Sequence, residues 1–85
     1  MDEDHKRMQW ASRRGMLELD LILEPFVREA YPQLSTQDRE RYQQLMSSQD
    51  QEMFGWFLRR EVPEDEELAV MVRRILEFHG RAGRS

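Results

Sequence analysis

The sequence predicts an all-α protein, a small and compact bundle of about five helices in a single domain. Three observations lead to this prediction. The chain has 85 residues, which is enough for one hydrophobic core but not for two. Apolar residues recur at helical spacing along most of the chain, and no segment sustains a period of two. Because there is no cysteine, disulfides, zinc–thiolate sites and thiol catalysis are excluded, and apolar packing must stabilise the fold.

The charge balance argues against binding to nucleic acid or to a membrane surface. The 17 acidic and 13 basic residues give a net charge of −4, so no global attraction to phosphate or anionic lipid is expected. No apolar run approaches the roughly 18 residues that cross a bilayer. The chain begins with acidic residues, where a signal or transit peptide is basic. We therefore expect a cytoplasmic protein without direct membrane insertion.

The first two predicted helices meet at a glycine. A mostly polar helix is predicted over residues 3–14, and Gly15 follows where a helix end favours positive φ. The strongest amphipathic helix begins at residue 16, and its apolar phase continues through Pro25, which predicts a kink rather than a break. Tyr31 and Pro32 are expected to end it. Its apolar stripe consists of Leu19, Ile22, Leu23, Phe26, Val27 and Ala30.

Two shorter helices are predicted next. Ser35 and Asp38 resemble a capping box that opens the first of them. After a polar turn, Asp50 is the predicted N-cap of the second. Trp56 lies off the apolar side of this helix, where it is either a second anchor for a partner or a cover over the core, and we favour the cover. The apolar sides consist of Tyr42, Leu45 and Met46 in the first, and of Met53, Phe54, Phe57 and Leu58 in the second.

The last helix begins after Val62 and Pro63, where the acidic residues 64–67 lie at the positive end of its dipole. Gly80 is the predicted stop. The domain is therefore predicted to span residues 1–80, followed by a flexible tail over residues 81–85. The predicted core face consists of Leu68, Met71, Val72, Ile75, Leu76 and His79.

The sequence contains no constellation of residues that predicts an enzyme. It has no Ser–His–acid pattern, P-loop or glycine-rich nucleotide fingerprint. The two histidines do not have metal-ligand spacing: His5 is expected in solvent, and His79 partly buried near a helix C-terminus. We expect no metal site and no catalytic residue.

The turn around Gly15 is the strongest candidate for function. A partner's backbone could approach closely where the side chain is missing, while Arg14 offers a fork of donors and Glu18 an acceptor. From the residues alone two interpretations remain open. One is a docking surface. The other is an ordinary glycine cap with an Arg14–Glu18 surface pair worth at most about 1 kcal/mol.

The same segment carries a resemblance to a known family. It contains Trp10-x-x-Arg13-Arg14-Gly15-Met16-x-Glu18-Leu19-Asp20, which includes an RGxxE motif. In this pattern the chain resembles the succinate dehydrogenase assembly factor 2 family, and the resemblance covers nearly the whole chain. Further matching segments are Pro25-Phe26, Phe54-x-Trp56-Phe57, Glu67-Leu68 and Met71-Val72-Arg73.

The resemblance implies an assembly factor that is not itself an enzyme. Such a protein promotes covalent attachment of FAD to a histidine of the succinate dehydrogenase flavoprotein subunit, and in some bacteria of the related fumarate reductase. It binds no cofactor stably, because the subunit carries the FAD. We expect a monomer that holds the apo-subunit in the arrangement needed for attachment. The resemblance implies that the subunit is bound by Arg14, Gly15 and Glu18. The neighbouring residues Arg13, Met16 and Asp20 are expected to contribute less to this binding.

There are two alternatives to this function. Members of the resembled family have been described as the antitoxin of a toxin–antitoxin pair with a membrane-associated partner, and no residue of this chain supports that role independently. A DNA-binding regulator would need a basic recognition helix. The pairs Arg59-Arg60 and Arg73-Arg74 are the available candidates, and acidic residues flank both.

Overall fold

Five α-helices and one 3₁₀ turn follow one another along the chain. The computed structural model describes residues 3–82, and within that range it contains no strand, which confirms the all-α prediction. The 3₁₀ turn spans Tyr31–Gln33. The helices are α1 (Glu3–Ala11), α2 (Leu17–Glu29), α3 (Thr36–Met46), α4 (Asp50–Phe57) and α5 (Glu66–Ala82).

The central helix is α2, which contacts α1, the 3₁₀ turn, α4 and α5, while α3 packs against α5. Its predicted apolar stripe faces inward: Leu19 and Leu23 are fully buried, and Phe26 is nearly so. The ring of Phe26 stacks on Tyr42 of α3 with centroids 5.6 Å apart. Phe78 of α5 meets Phe26 edge-on, also at 5.6 Å. These contacts join α2, α3 and α5 in one core.

The helix α2 runs through Pro25 without a break. The predicted continuity is confirmed, but the helix ends at Glu29 rather than at Tyr31. The chain then tightens into the 3₁₀ turn, in which the Leu34 N–H donates to the Tyr31 carbonyl at 3.0 Å. Pro32 lies in the first turn of this element, where its missing N–H costs no hydrogen bond.

The predicted capping box at the start of α3 is half formed. The Ser35 hydroxyl oxygen accepts the Asp38 N–H at 3.2 Å. The Asp38 carboxylate does not return to the cap, because it accepts hydrogen bonds from Arg41, at 2.7 Å, and from Arg74 of α5. Burial of Asp38 opposes ionisation, but these two guanidinium groups outweigh it and lower its pKa below the ordinary value of 3.8.

The start and the buried side of α4 differ from prediction. The N-cap is Gln49, whose N–H donates to Glu52 at 3.1 Å, so the predicted N-cap role of Asp50 is wrong. Asp50 is the first helical residue. Trp56 is buried in the core, which confirms its predicted place. Leu58 is 43% exposed because it lies beyond the helix end. The buried side chains of α4 are Met53, Trp56 and Phe57.

The ends of α1 and α5 also correct the prediction. α1 ends at Ala11, so Arg14 lies in the following loop. At this end the Ser12 hydroxyl donates to the Met8 carbonyl at 2.7 Å and lies 2.5 Å from the hydroxyl of Tyr42. α5 continues past Gly80 to Ala82, because a helix tolerates an interior glycine at a cost of about 1 kcal/mol. Residues 83–85 of the predicted tail lie outside the described residues.

Both histidines lie in environments opposite to those predicted. His5 is buried, and its Nε2 lies 2.6 Å from the Val27 carbonyl oxygen. Since a carbonyl oxygen only accepts, Nε2 carries the donated proton. His79 is exposed on α5 rather than part of its buried face. The local sequence does not predict the burial of His5, because its partner lies on α2, far away in the sequence.

A second polar contact ties α1 to the rest of the fold. Asp4 accepts hydrogen bonds from the Tyr31 hydroxyl at 2.7 Å, from Arg39 at 3.1 Å and from Gln43 at 2.9 Å. The Tyr31 hydrogen bond, together with the Arg39 and Arg7 guanidinium groups, lowers the pKa of Asp4 despite its partial burial. Burial raises the pKa of Tyr31 to about 12, so the hydroxyl remains a donor. These hydrogen bonds hold α1 against the fold in addition to the packing of Met8 in the core.

Candidate protein-docking site

The loop between α1 and α2 turns at Gly15, which has φ of 82°. This conformation is rarely adopted by residues with a side chain. Gly15 is exposed, and a Cβ added to it would meet no other atom of the described chain within 4 Å. The space above the Gly15 backbone is therefore open, and none of residues 3–82 fills it.

Arg14 does not project from this turn. Its side chain is 18% exposed, and its Nε donates to the Asp50 carboxylate at 2.7 Å. Its Nη atoms donate to main-chain carbonyl oxygens of Ala11 at 3.0 Å, Met46 at 2.9 Å and Ser48 at 3.1 Å. The predicted Arg14–Glu18 surface pair is wrong, because Asp50 is the carboxylate that Arg14 binds.

Asp20 and Met16 support the turn from within. The Asp20 carboxylate accepts the Arg14 main-chain N–H at 2.9 Å. Met16 precedes α2 in an extended conformation, and its partly buried side chain packs against the core. These two predicted site residues therefore fix the shape of the turn and offer little surface to a partner.

Glu18 and Arg13 are the charged side chains that the turn exposes. Glu18 lies in the first turn of α2, and within residues 3–82 it makes no ion pair or side-chain hydrogen bond. Arg13 is exposed, with its Nε 3.5 Å from Glu24 and its guanidinium carbon 5.7 Å from the Trp10 ring centroid. Three residues after the open backbone of Gly15, the chain thus exposes a carboxylate that no residue within 3–82 pairs.

Exposed apolar side chains also lie in this segment, at positions outside the predicted core and the predicted site. Trp10 is 70% exposed, Leu17 68% and Leu21 59%. Leu17 and Leu21 lie one helical turn apart on α2, on the same side of Glu18. The signal that could have identified them is that both are leucines outside the predicted core stripe. We call the surface formed by Trp10, Arg13, Gly15, Leu17, Glu18 and Leu21 the corner face.

The described residues show two further absences. No helix within residues 3–82 has both the length and the apolar character to cross a bilayer. In the same range, no three potential metal-ligating side chains come together to hold an ion.

Comparison with known proteins gives a consistent result. The family model described as flavinator of succinate dehydrogenase matches residues 6–79. A protein of Pseudomonas savastanoi pv. phaseolicola named FAD assembly factor SdhE is 55% identical over 76 residues, which cover 89% of this chain and 90% of the relative. Proteins with the same name from two other bacteria are also similar. In Pseudomonas aeruginosa the identity is 56% over 72 residues, covering 85% of this chain and 86% of the relative. In Colwellia psychrerythraea it is 54% over 71 residues, covering 84% and 78%.

These matches confirm the resemblance that the RGxxE segment and the further matching segments indicated, which covers nearly the whole chain. By this match and these identities, the chain belongs to the flavinator of succinate dehydrogenase family, together with the bacterial FAD assembly factors SdhE.

Proposed function

We propose that this protein is an assembly factor that binds the flavoprotein subunit of succinate dehydrogenase and promotes covalent attachment of FAD to a histidine of that subunit. The family and the names of its relatives support this role. The structural observation that carries it is the corner face, where the open backbone of Gly15 is followed, three residues on, by the exposed carboxylate of Glu18. The flavoprotein subunit of fumarate reductase is a second partner in the same proposal.

The corner face supplies four kinds of contact in this proposal. Gly15 lets the subunit's backbone approach closely. Glu18 accepts a charge-assisted hydrogen bond from the subunit, worth about 1.5–3 kcal/mol. Leu17, Leu21 and Trp10 bury apolar surface at roughly 25 cal/mol per Å². Arg13 adds a cation beside Trp10.

Binding at this face acts on the reaction through geometry. Covalent attachment requires the flavin and the accepting histidine to be aligned, and alignment lowers a barrier by several kcal/mol, up to about 7–11 kcal/mol in well-oriented cases. The assembly factor binds the arrangement of the subunit in which the two are aligned and so increases its population. It acts as a monomer in the cytoplasm, holds no FAD stably and contributes no catalytic group.

Co-expression tests this function. The subunit is produced with and without this protein, and covalently bound flavin is measured by fluorescence of the denatured subunit in a gel. We expect strong flavin fluorescence only in the presence of the assembly factor, and recovery of the subunit with a tagged assembly factor. Equal fluorescence in both cultures would contradict the proposal. Recovery of a small membrane protein in place of the subunit would indicate the antitoxin role.

A further inference from the structure

Three helix ends meet at the Arg14 guanidinium. It binds the carbonyl oxygens of Ala11 and Met46, the last residues of α1 and α3, and the carboxylate of Asp50, the first residue of α4. The C-terminal ends of α1 and α3 carry partial negative charge, which a cation stabilises. Asp50 supplies the full negative charge that balances the cation, and its side chain is 34% exposed.

These contacts use most of the N–H donors of the Arg14 side chain. A guanidinium has five N–H donors, and four hydrogen bonds from Arg14 end on this chain's own atoms. A partner could therefore receive a two-pronged contact from Arg14 only if some of these bonds broke. Lysine could not replace Arg14 here, because a single ammonium group cannot reach four acceptors that lie around a planar fork.

The same residue fixes the backbone next to Gly15. The Arg14 N–H is bound to Asp20 while its side chain is bound to Asp50 and the end of α3, so the residue is held from two sides. The position of Gly15 and the start of α2, which carries Glu18, follow from this anchorage. Without the carboxylate of Asp50, the guanidinium loses its charged partner and the loop loses its fixed connection to α4.

We propose that Asp50 is a positioning residue for docking of the flavoprotein subunit: it orients Arg14, which in turn holds Gly15 and Glu18 in the conformation that the subunit binds. Arg14 acts inside the assembly factor, while Gly15 and Glu18 touch the subunit. This inference rests on the proposed function. It assigns a role to a residue that lies on α4, outside the RGxxE segment.

A double-mutant cycle tests the inference. The dissociation constant for the purified flavoprotein subunit is measured for the wild type, Arg14→Lys, Asp50→Ala and the double variant. Each variant is first shown to be folded by circular dichroism. We expect each single substitution to weaken binding about tenfold, and the double variant to bind no worse than either single one, because the two residues act as a unit. If Arg14→Lys weakens binding as much in the Asp50→Ala background as in the wild type, Arg14 contacts the subunit directly and the inference is overturned.

Two further variants separate positioning from a general effect of losing a helix-start carboxylate. Asp50→Asn keeps an acceptor oxygen for Arg14 and should retain binding within about threefold. Asp65→Asn changes a carboxylate next to the start of α5, where it accepts the Glu67 N–H at 2.8 Å, and should bind as the wild type does. Wild-type affinity in Asp50→Ala, or equal losses in Asp50→Ala and Asp65→Asn, would overturn the inference. The proposed function is tested separately by the wild-type protein. If the wild type does not bind the flavoprotein subunit, the proposed function fails, whatever the variants show.

Discussion

Two corners of the molecule use a left-handed backbone conformation, and they use it differently. Among the described residues, positive φ occurs at Gly15, between α1 and α2, and at Arg59, after α4. At Arg59 the helix closes its own end: the Arg59 N–H donates to Trp56 and the Arg60 N–H to Gly55, at 3.1 and 3.0 Å. This is the Schellman pattern, in which main-chain N–H groups after the helix bind its last free carbonyl oxygens. The Gly15 corner is instead fastened by side chains, through Arg14 and Asp20.

The comparison shows that a left-handed residue in this fold can carry a side chain. Arg59 does so at φ 62°, at the cost of about 1 kcal/mol that a glycine would avoid. At Gly15 a Cβ would meet no atom of the described part of the chain within 4 Å, so packing there does not require glycine either. The missing side chain at Gly15 leaves the backbone open to the outside, as a docking corner needs. At Arg59 a side chain is present on the left-handed residue, and we expect no partner contact there.

The largest expected effect comes from placing asparagine at each corner. Asparagine tolerates the left-handed conformation, so Gly15→Asn should lower the free energy of unfolding by less than about 1 kcal/mol. Its side chain would occupy the space that the subunit's backbone approaches, and we expect affinity for the flavoprotein subunit to fall about a hundredfold. Titration of the purified subunit, with urea unfolding of the free chain, measures both quantities.

The matched substitution at the other corner is Arg59→Asn, which should leave affinity for the subunit unchanged. If both asparagine variants weaken binding equally, the two corners do not differ in function. If Gly15→Asn binds normally, the open backbone at Gly15 has no role in docking.

The next effect concerns the charge beside the open backbone. Glu18→Lys should weaken binding about thirtyfold, because a charge-assisted hydrogen bond is lost and a like-charge contact replaces it. Loss of the favourable interaction with the α2 dipole should cost about 0.3–1 kcal/mol of stability. The control is Glu66→Lys, in the first turn of α5, which carries the same dipole cost. Isothermal titration of both variants distinguishes them, and equal affinities would refute a docking role for Glu18.

A smaller effect is expected from the apolar part of the corner face. Leu21→Gln keeps a good helix former on α2 but removes an apolar side chain that is 59% exposed in the free protein. Covering about half of a leucine side chain is worth about 1 kcal/mol, so binding should weaken about fivefold. Val62→Gln, at a residue 79% exposed near the Arg59 corner, is the control and should have no effect. Surface plasmon resonance resolves a fivefold change.

The smallest effect is on stability alone. Arg59→Gly relieves the cost of a side chain in the left-handed region and should raise the free energy of unfolding by about 0.5–1 kcal/mol. Equilibrium urea denaturation, with the slope unchanged, is the measurement. Binding to the subunit should stay at the wild-type level. A loss of stability would mean that the Arg59 side chain makes contacts that outweigh the strain of its backbone.

The sequence predicted those parts of the fold that depend on local periodicity. The core stripe of α2, the passage through Pro25 and the buried side of α3 follow from apolar spacing, and Gly15 was placed at a turn by its conformational freedom. The errors are contacts between residues far apart in the chain. His5 binds a carbonyl of α2, and Arg14 binds Asp50 of α4. No periodic pattern encodes such pairs, because each residue taken alone fits a solvent-exposed position equally well.

The residues of the candidate site could likewise be predicted only where the local sequence marks them. Gly15 and Glu18 could be selected because they lie in one short motif, and Leu17 and Leu21 could have been selected because they break the polar side of α2. Asp50 carried no such signal: a carboxylate at a helix start is what dipole and capping preferences already predict. Its contact with Arg14 is visible only once α1, α3 and α4 have come together.

The attachment of α1 through Asp4 makes one half of the corner face sensitive to acid. Because the pKa of Asp4 is lowered in the folded protein, its contribution to stability is complete above the ordinary value of 3.8 and disappears as the pH falls through the lowered value. Protonation would remove the charge of the carboxylate that Arg39 binds here and weaken the acceptor that Tyr31 and Gln43 share. The helix that carries Trp10 would then loosen from the bundle while the apolar contacts among α2, α3 and α5 persist. In strong acid, amide protons of α1 should exchange with solvent ahead of those in the core helices.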